Sequence, residues 1–152
     1  GDRAYYSPAQ DKIHLPSPGS FTSEYAFNAT ALHELSHATG HPSRLDRDMG
    51  GFFGSSQYAY EELVAEMCSC FMGVNLDQTA SPDHINNHKA YVQSWIKAIR
   101  DKPETLIRAI KDAQSAAAFM DWKAGLITDK EYSQTMNSTM EIATRSRDRD
   151  AR

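Results

Sequence analysis

The sequence predicts an α+β fold, mostly helical with a small N-terminal twisted sheet. Three observations predict it. Strand-like alternation is confined to residues 4–16. From about residue 22 onward, apolar residues recur at helical spacing between capping signals. The chain has 152 residues, of which 40% are hydrophobic and 24% charged, enough for one globular domain with its own core.

Ala4-Tyr5-Tyr6 and Lys12-Ile13-His14-Leu15 read as a hairpin or edge pair, interrupted by Ser7-Pro8 and closed by Pro16, Pro18 and Gly19. A first helix is expected over 22–39. Thr22 or Ser20 serves as N-cap, and Glu24 lies in the first turn, where the helix dipole favours an anion. Tyr25, Ala29, Leu32, Leu35 and Thr39 form its stripe, Gly40 takes the C′ position, and Pro42 lies just beyond. Residues 41–56 form a loop, either a functional one or a surface connection whose Phe52 and Phe53 tuck into the core.

The second helix is expected over 56–73, capped by Ser55 or Ser56, with a core stripe of Leu63, Met67, Cys70 and Val74. The third runs over 82–100, with Ser81 as N-cap, Pro82 at N1, and an apolar line of Ile85, Val92, Trp95, Ile96 and Ile99. The fourth starts at Pro103 and carries Leu106, Ile107, Ile110, Ala113, Ala117 and Met120 towards Gly125. Beyond about residue 140 the chain is rich in Arg, Asp and Ser and is expected to be disordered. The organisation is therefore one domain over 1–125 and a partly disordered extension over 126–152.

The formal charge is −4. A phosphate-binding chain is normally basic, so nothing electrostatic points to nucleic acid. No apolar run is long enough for a membrane span, and no basic-then-apolar leader opens the chain. The abrupt start at Gly1-Asp2-Arg3 suggests excision from a longer protein. Cys68 and Cys70 lie about 200° apart on a helix and cannot pair with each other. A reduced, cytoplasmic setting follows as the expectation.

His33-Glu34-Leu35-Ser36-His37 matches H-E-x-x-H, a pattern this composition would produce by chance on the order of 0.01 times. It falls in a helix defined by caps and periodicity rather than by the motif. His33 and His37 therefore share a face one turn apart and can hold one zinc. Glu34 is turned about 100° from His33, so it flanks the metal and is placed to take a proton from an activated water. A third ligand is needed. His41 lies about 12 Å from His33 along a continuous helix, too far to share one ion with it, and Ser43 stands where the metzincin pattern would have a histidine.

On the second helix Glu62 and Glu66 share a face at the edge of the core stripe, where a charge needs a partner. Glu62 is chosen as third ligand. Glu66 then accepts a hydrogen bond from a ligand histidine, or is itself the alternative ligand. Glu61 points elsewhere and reads as a solvated or capping carboxylate. His84 and His88 repeat the spacing of four without an acid between them and read as a surface pair. Cys68 and Cys70 read as small core residues. Tyr58 and Tyr60 could donate to a tetrahedral intermediate but read more simply as core aromatics.

Three segments, Asp11-Lys12-Ile13-His14-Leu15-Pro16, Ala31 through Leu45, and Tyr60-Glu61-Glu62-Leu63-Val64-Ala65-Glu66, together resemble the ArdC-type antirestriction proteins, and within them the zincin-like metallopeptidase domain of plasmid and phage polyvalent proteins. The resemblance covers residues 4–120. It implies a zincin-like fold, with a small twisted sheet over the motif helix and an edge strand bordering the cleft. It implies a Zn2+-dependent, gluzincin-like peptidase with His33, His37 and Glu62 as ligands and Glu34 as general base, acting on a protein or peptide during plasmid or phage DNA establishment. Extended substrate is expected along residues 11–16. In that family single-stranded DNA is bound by a preceding domain, for which this chain has no room. Ala38 departs from the pattern, which often has an aromatic there. The expected partners include no membrane. The rival reading is a non-proteolytic interaction module with a structural zinc.

Overall fold

Residues with alternating polarity at the N-terminus pair as a two-stranded antiparallel sheet. Strand β1 (Tyr5–Ser7) meets β2 (Lys12–His14) in the register Tyr5 to His14, Tyr6 to Ile13 and Ser7 to Lys12. Asp11 turns the hairpin at φ 49°, and its carboxylate accepts from Tyr6 at 2.7 Å and pairs with Arg44. A 3-10 turn at Pro18–Ser20 leads into the helices α1 (Glu24–Ala38), α2 (Ser56–Asn75), α3 (Pro82–Ile99), α4 (Pro103–Lys123) and α5 (Asp129–Asp150). The computed structural model describes residues 1–76, 82–99 and 103–150. The expected cap Ser81 lies outside them. Among the described residues no helix is long and apolar enough to cross a membrane.

The expected α+β class holds, and the helices begin where capping chemistry places them. Ser23, rather than Thr22 or Ser20, caps α1 by accepting from the Ala26 amide at 3.0 Å. Ser55 caps α2 through the Tyr58 amide. Thr39 is the C-cap of α1, which puts Gly40 at C′. Gly40 is required by crowding: a Cβ there would meet the Met49 sulfur at 2.8 Å and the Arg47 guanidinium at 2.9 Å.

Helix α2 is the centre of the molecule and packs against α1, α3 and α4. The consecutive residues Leu63, Val64 and Ala65 are fully buried, which a helix covered on one side cannot achieve. The single stripe expected for α2 is therefore too narrow at its start and too long at its end: Val74 is 79% exposed and burial stops at Met72. Leu35 of α1 and Ile107 of α4 are also exposed, because the close contacts of α4 run instead through the small residues Ala109, Ala113, Ala116 and Ala117.

Two expectations about irregular segments are corrected. Phe52 and Phe53 do not enter the core; they are exposed on the surface loop. The chain past residue 140 continues as α5 to Asp150 rather than losing structure. Its start explains this. Thr128 accepts from the Glu131 amide while Glu131 accepts from the Thr128 amide, a reciprocal cap, and Tyr132 stacks on Trp122 at 4.4 Å. That nucleus removes the costly first step of helix formation, after which propagation needs little packing.

Gly51 gives a direct test of the loop's conformation. A Cβ there would lie 2.6 Å from the Tyr58 backbone nitrogen, whereas at Gly19 it would meet nothing within 4 Å. Gly51→Ala should lower stability by about 1–3 kcal/mol, and Gly19→Ala should leave the denaturant midpoint essentially unchanged. Equal midpoints for the two variants would contradict the described loop.

Candidate metal centre

Helix α1 presents His33 and His37 one turn apart, and α2 crosses it in the opposite direction. His33 meets Glu66, while His37, further along α1, meets the earlier residue Glu61. The rings stand nearly perpendicular, 4.8 Å between centroids, with their Nε2 atoms 3.1 Å apart. Glu62 lies between them. Its Oε2 is 3.3 Å from His33 Nε2 and its Oε1 is 3.2 Å from His37 Nε2.

This triangle fits a metal. Donors bound tetrahedrally to zinc at about 2.0–2.1 Å stand about 3.3 Å apart, close to the separations just given. The far sides of both rings are also settled. His33 Nδ1 donates to Glu66 Oε2 at 3.0 Å, and His37 Nδ1 donates to Glu61 Oε1 at 3.2 Å. With a metal bound, a proton kept on each Nδ1 would leave each Nε2 lone pair to the ion, the arrangement a metal needs.

The sequence reading placed Glu61 in solvent or at a cap, and here it is corrected. Glu61 is only 6% exposed. Arg47 holds it with Nε at 3.0 Å from one oxygen and a terminal nitrogen at 2.8 Å from the other. Arg47 also donates to the Ser36 carbonyl and the Thr39 hydroxyl, both at 2.8 Å. One guanidinium thus closes the end of α1 and fixes the carboxylate that orients His37. Two helices crossing antiparallel so that Glu66 reaches His33 must bring the 61–62 turn to His37, and that register was the available signal for Glu61.

His88 is the second correction. It is not a surface histidine: its Nδ1 pairs with the other oxygen of Glu66, and His84 lies against the ring of Tyr25 at 4.5 Å. Both histidines line the same cleft as His33 and His37. Tyr60 points away, bonded to Asp112 in the core, whereas Tyr58 lines the cleft beside Trp95. His41 stays in its own turn, where its Nδ1 accepts from the Ser43 amide at 3.1 Å. Glu34, 8% exposed, also lines the cleft.

The cleft measures about 980 Å³. Its sheet side is Arg3, Ala4, Tyr5 and Tyr6, so β1 borders it; residues 11–16, expected to seat an extended substrate, do not. Without metal the centre is an ion-pair network. Burial alone would lower the His33 pKa, but hydrogen bonds and charge from Glu62 and Glu66 outweigh it and raise it to about 10. Burial raises Glu66, and His33 and His88 bring it down to about 2. Burial likewise opposes ionisation of Glu62, and the two imidazoles override it, holding its carboxyl well below the usual range.

A metal must therefore displace protons. At neutral pH, metal binding should release on the order of one to two protons, and affinity should fall about tenfold per pH unit for each proton displaced. Calorimetry in two buffers of different ionisation enthalpy reads the number directly. Binding without proton release would contradict the ion-pair network, in which the imidazoles facing Glu62 are protonated.

Residues 1–112 match the family model described as zincin-like metallopeptidase. The chain is 50% identical over 119 residues to a protein named DNA primase TraC of Escherichia coli, aligning 78% of this chain with 11% of that one. It is 38% identical to the uncharacterized protein y4eC of Sinorhizobium fredii (strain NBRC 101917 / NGR234), over 79% of this chain and 38% of that one. Among solved structures it resembles the antirestriction protein ArdC of plasmid R388. The metal-free form matches with TM-score 0.65 at 38% identity, covering 83% of this chain and 44% of that one. The Mn(II)-bound form matches with TM-score 0.64 at 40% identity, over 78% and 43%. The chain thus spans less than half the length of each of these relatives. It belongs to the zincin-like metallopeptidase family.

Proposed function

We propose that this chain is the peptide-hydrolysing module of an antirestriction protein that acts when plasmid or phage DNA becomes established in a cell. The observation that carries the reading is the triangle of His33 Nε2, His37 Nε2 and a Glu62 oxygen, with Glu34, itself buried, lining the same open cleft. His33, His37 and Glu62 would hold the ion, which we take to be Zn2+; the Mn(II)-bound form of the ArdC relative supports a divalent cation. Such an ion supplies a Lewis acid that polarises a carbonyl and makes water more acidic.

The remaining chemistry belongs to the chain's own residues. Glu34 takes a proton from the attacking water on a carboxylate oxygen and delivers it to the departing amide nitrogen. Glu61 and Glu66 keep the ligand rings in one tautomer. β1, bordering the cleft, offers backbone groups to an extended peptide. Single-stranded DNA would be reached only through a domain outside this chain, and the setting would be cytoplasmic. A module with a purely structural metal has no need for a buried carboxylate beside the ion or for an open cleft, and this favours chemistry over the interaction reading.

Two experiments follow. Glu62→Ala should abolish tight metal binding, whereas Glu66→Ala or Glu61→Ala should weaken it by about 10- to 100-fold. Loss of binding in Glu66→Ala with retention in Glu62→Ala would move the ligand one turn along α2. Glu34→Gln should keep metal and fold, and lower cleavage of an unfolded protein substrate by at least about 10²-fold. Undiminished antirestriction by Glu34→Gln, with no cleavage by the unaltered chain, would establish the interaction module instead.

A further inference from the structure

A second group of donors converges on the other oxygen of Glu66. Glu66 and Cys70 lie four apart on α2 and so share a face. Helix α3 brings His88 against that face: its Nδ1 contacts Glu66 Oε1 and lies 3.6 Å from Cys70 Sγ. The carboxylate oxygen, the sulfur and the nitrogen all lie within 4.8 Å of one another. We propose that Glu66, Cys70 and His88 form a second metal site, for a borderline-soft divalent cation of the zinc class, joined to the first site through Glu66.

The chemistry of the three atoms supports a cation. A single ring nitrogen is either a donor or an acceptor. Protonated, His88 Nδ1 serves Glu66; unprotonated, it serves the thiol. It cannot serve both well. A cation accepts a lone pair from all three at once, and the Glu66–His88 contact, closer than two donors on one ion, would open as the ion enters. A thiolate at about 2.3 Å and an imidazole nitrogen at about 2.0–2.1 Å on a tetrahedral zinc stand about 3.6 Å apart, which is the observed sulfur–nitrogen separation.

A cysteine nucleophile activated by His88 is the obvious competitor. It fails on geometry, because a relay needs the acid and the thiol on different ring nitrogens, and here both approach Nδ1. The site is also reachable. His88 lines the main cleft, and both His88 and Cys70 line a separate cavity of about 420 Å³ between α1, α2 and α3. Loading would release the Cys70 thiol proton, and any proton on His88 Nδ1, to solvent. Glu66 would then bind the second ion through Oε1 and accept from His33 through Oε2.

The sulfur makes the two sites separable. A thiolate selects zinc or cobalt over the harder Mn(II), which suits imidazole and carboxylate donors. The 152-residue chain, stripped of metal, should bind two Co(II) and one Mn(II). Co(II) should produce the near-ultraviolet thiolate-to-cobalt charge-transfer band. Cys70→Ser should lose the band and one Co(II), and His88→Ala should weaken the second Co(II) by at least about tenfold. Cys68→Ser should keep the band. One Mn(II) bound by each variant shows that the fold survives; if Cys70→Ser loses it, Cys70→Ala and the stoichiometry of the unaltered chain decide. A single Co(II) with no band in the unaltered chain would overturn the proposal, as would a band that survives Cys70→Ser or disappears in Cys68→Ser. Failure to bind Mn(II) would count against the first site alone, since the band reads only the sulfur.

Discussion

Three carboxylates of α2 are driven against two imidazoles of α1, and the need to compensate that buried negative charge organises the molecule. Isolated buried carboxylates are costly. Glu61 is matched by Arg47, and Glu66 by His88. Glu62 faces the two Nε2 atoms, with the Tyr58 hydroxyl also near it. In the metal-free state protons on the histidines supply the missing positive charge, which is why the His33 pKa climbs to about 10. A divalent cation would supply it with no proton between donors that already stand at ligand separations.

The connection between α1 and α2 serves this centre from outside the cleft. Arg47 reaches Glu61 and the end of α1, so the loop, the helix terminus and the His37 tautomer are held by one side chain. Arg44 donates to the Ala38 carbonyl at 2.7 Å and pairs with Asp11, tying the hairpin to the same terminus. The glycines allow the close approach: at Gly40 a side chain would occupy the space that Arg47 and Met49 fill. A polar loop of this length is thus a clamp, and its exposed Phe52 and Phe53 lie apart from that role.

The helices and the grouping of His33, His37 and Glu62 were legible because they depend on local spacing. Caps, a period of 3.6 and the i,i+4 histidines constrain each other within one segment, and the match of Glu62 and Glu66 to α1 needed only a shared helix face. The role of Glu61 was not legible. Two adjacent glutamates on a helix look alike until the crossing partner is known, and the deciding partner, Arg47, sits in a loop whose composition reads as solvated. His88 was hidden for the same reason: it belongs to α3, and nothing in the sequence sets α3 against Glu66. The exposure of Val74 and the burial of the α4 alanines likewise follow from which helices touch, information that periodicity within one helix does not hold.

The central claim is that outer carboxylates fix both ligand rings so that their Nε2 atoms face a common ion. Long-range nitrogen–proton correlation spectra of the histidine side chains in the zinc-loaded protein test it most directly. The account predicts that His33 and His37 are both neutral with the proton on Nδ1 and the metal on Nε2, the tautomer set by Glu66 and Glu61. Either ring carrying its proton on Nε2, or bound to metal through Nδ1, would contradict it.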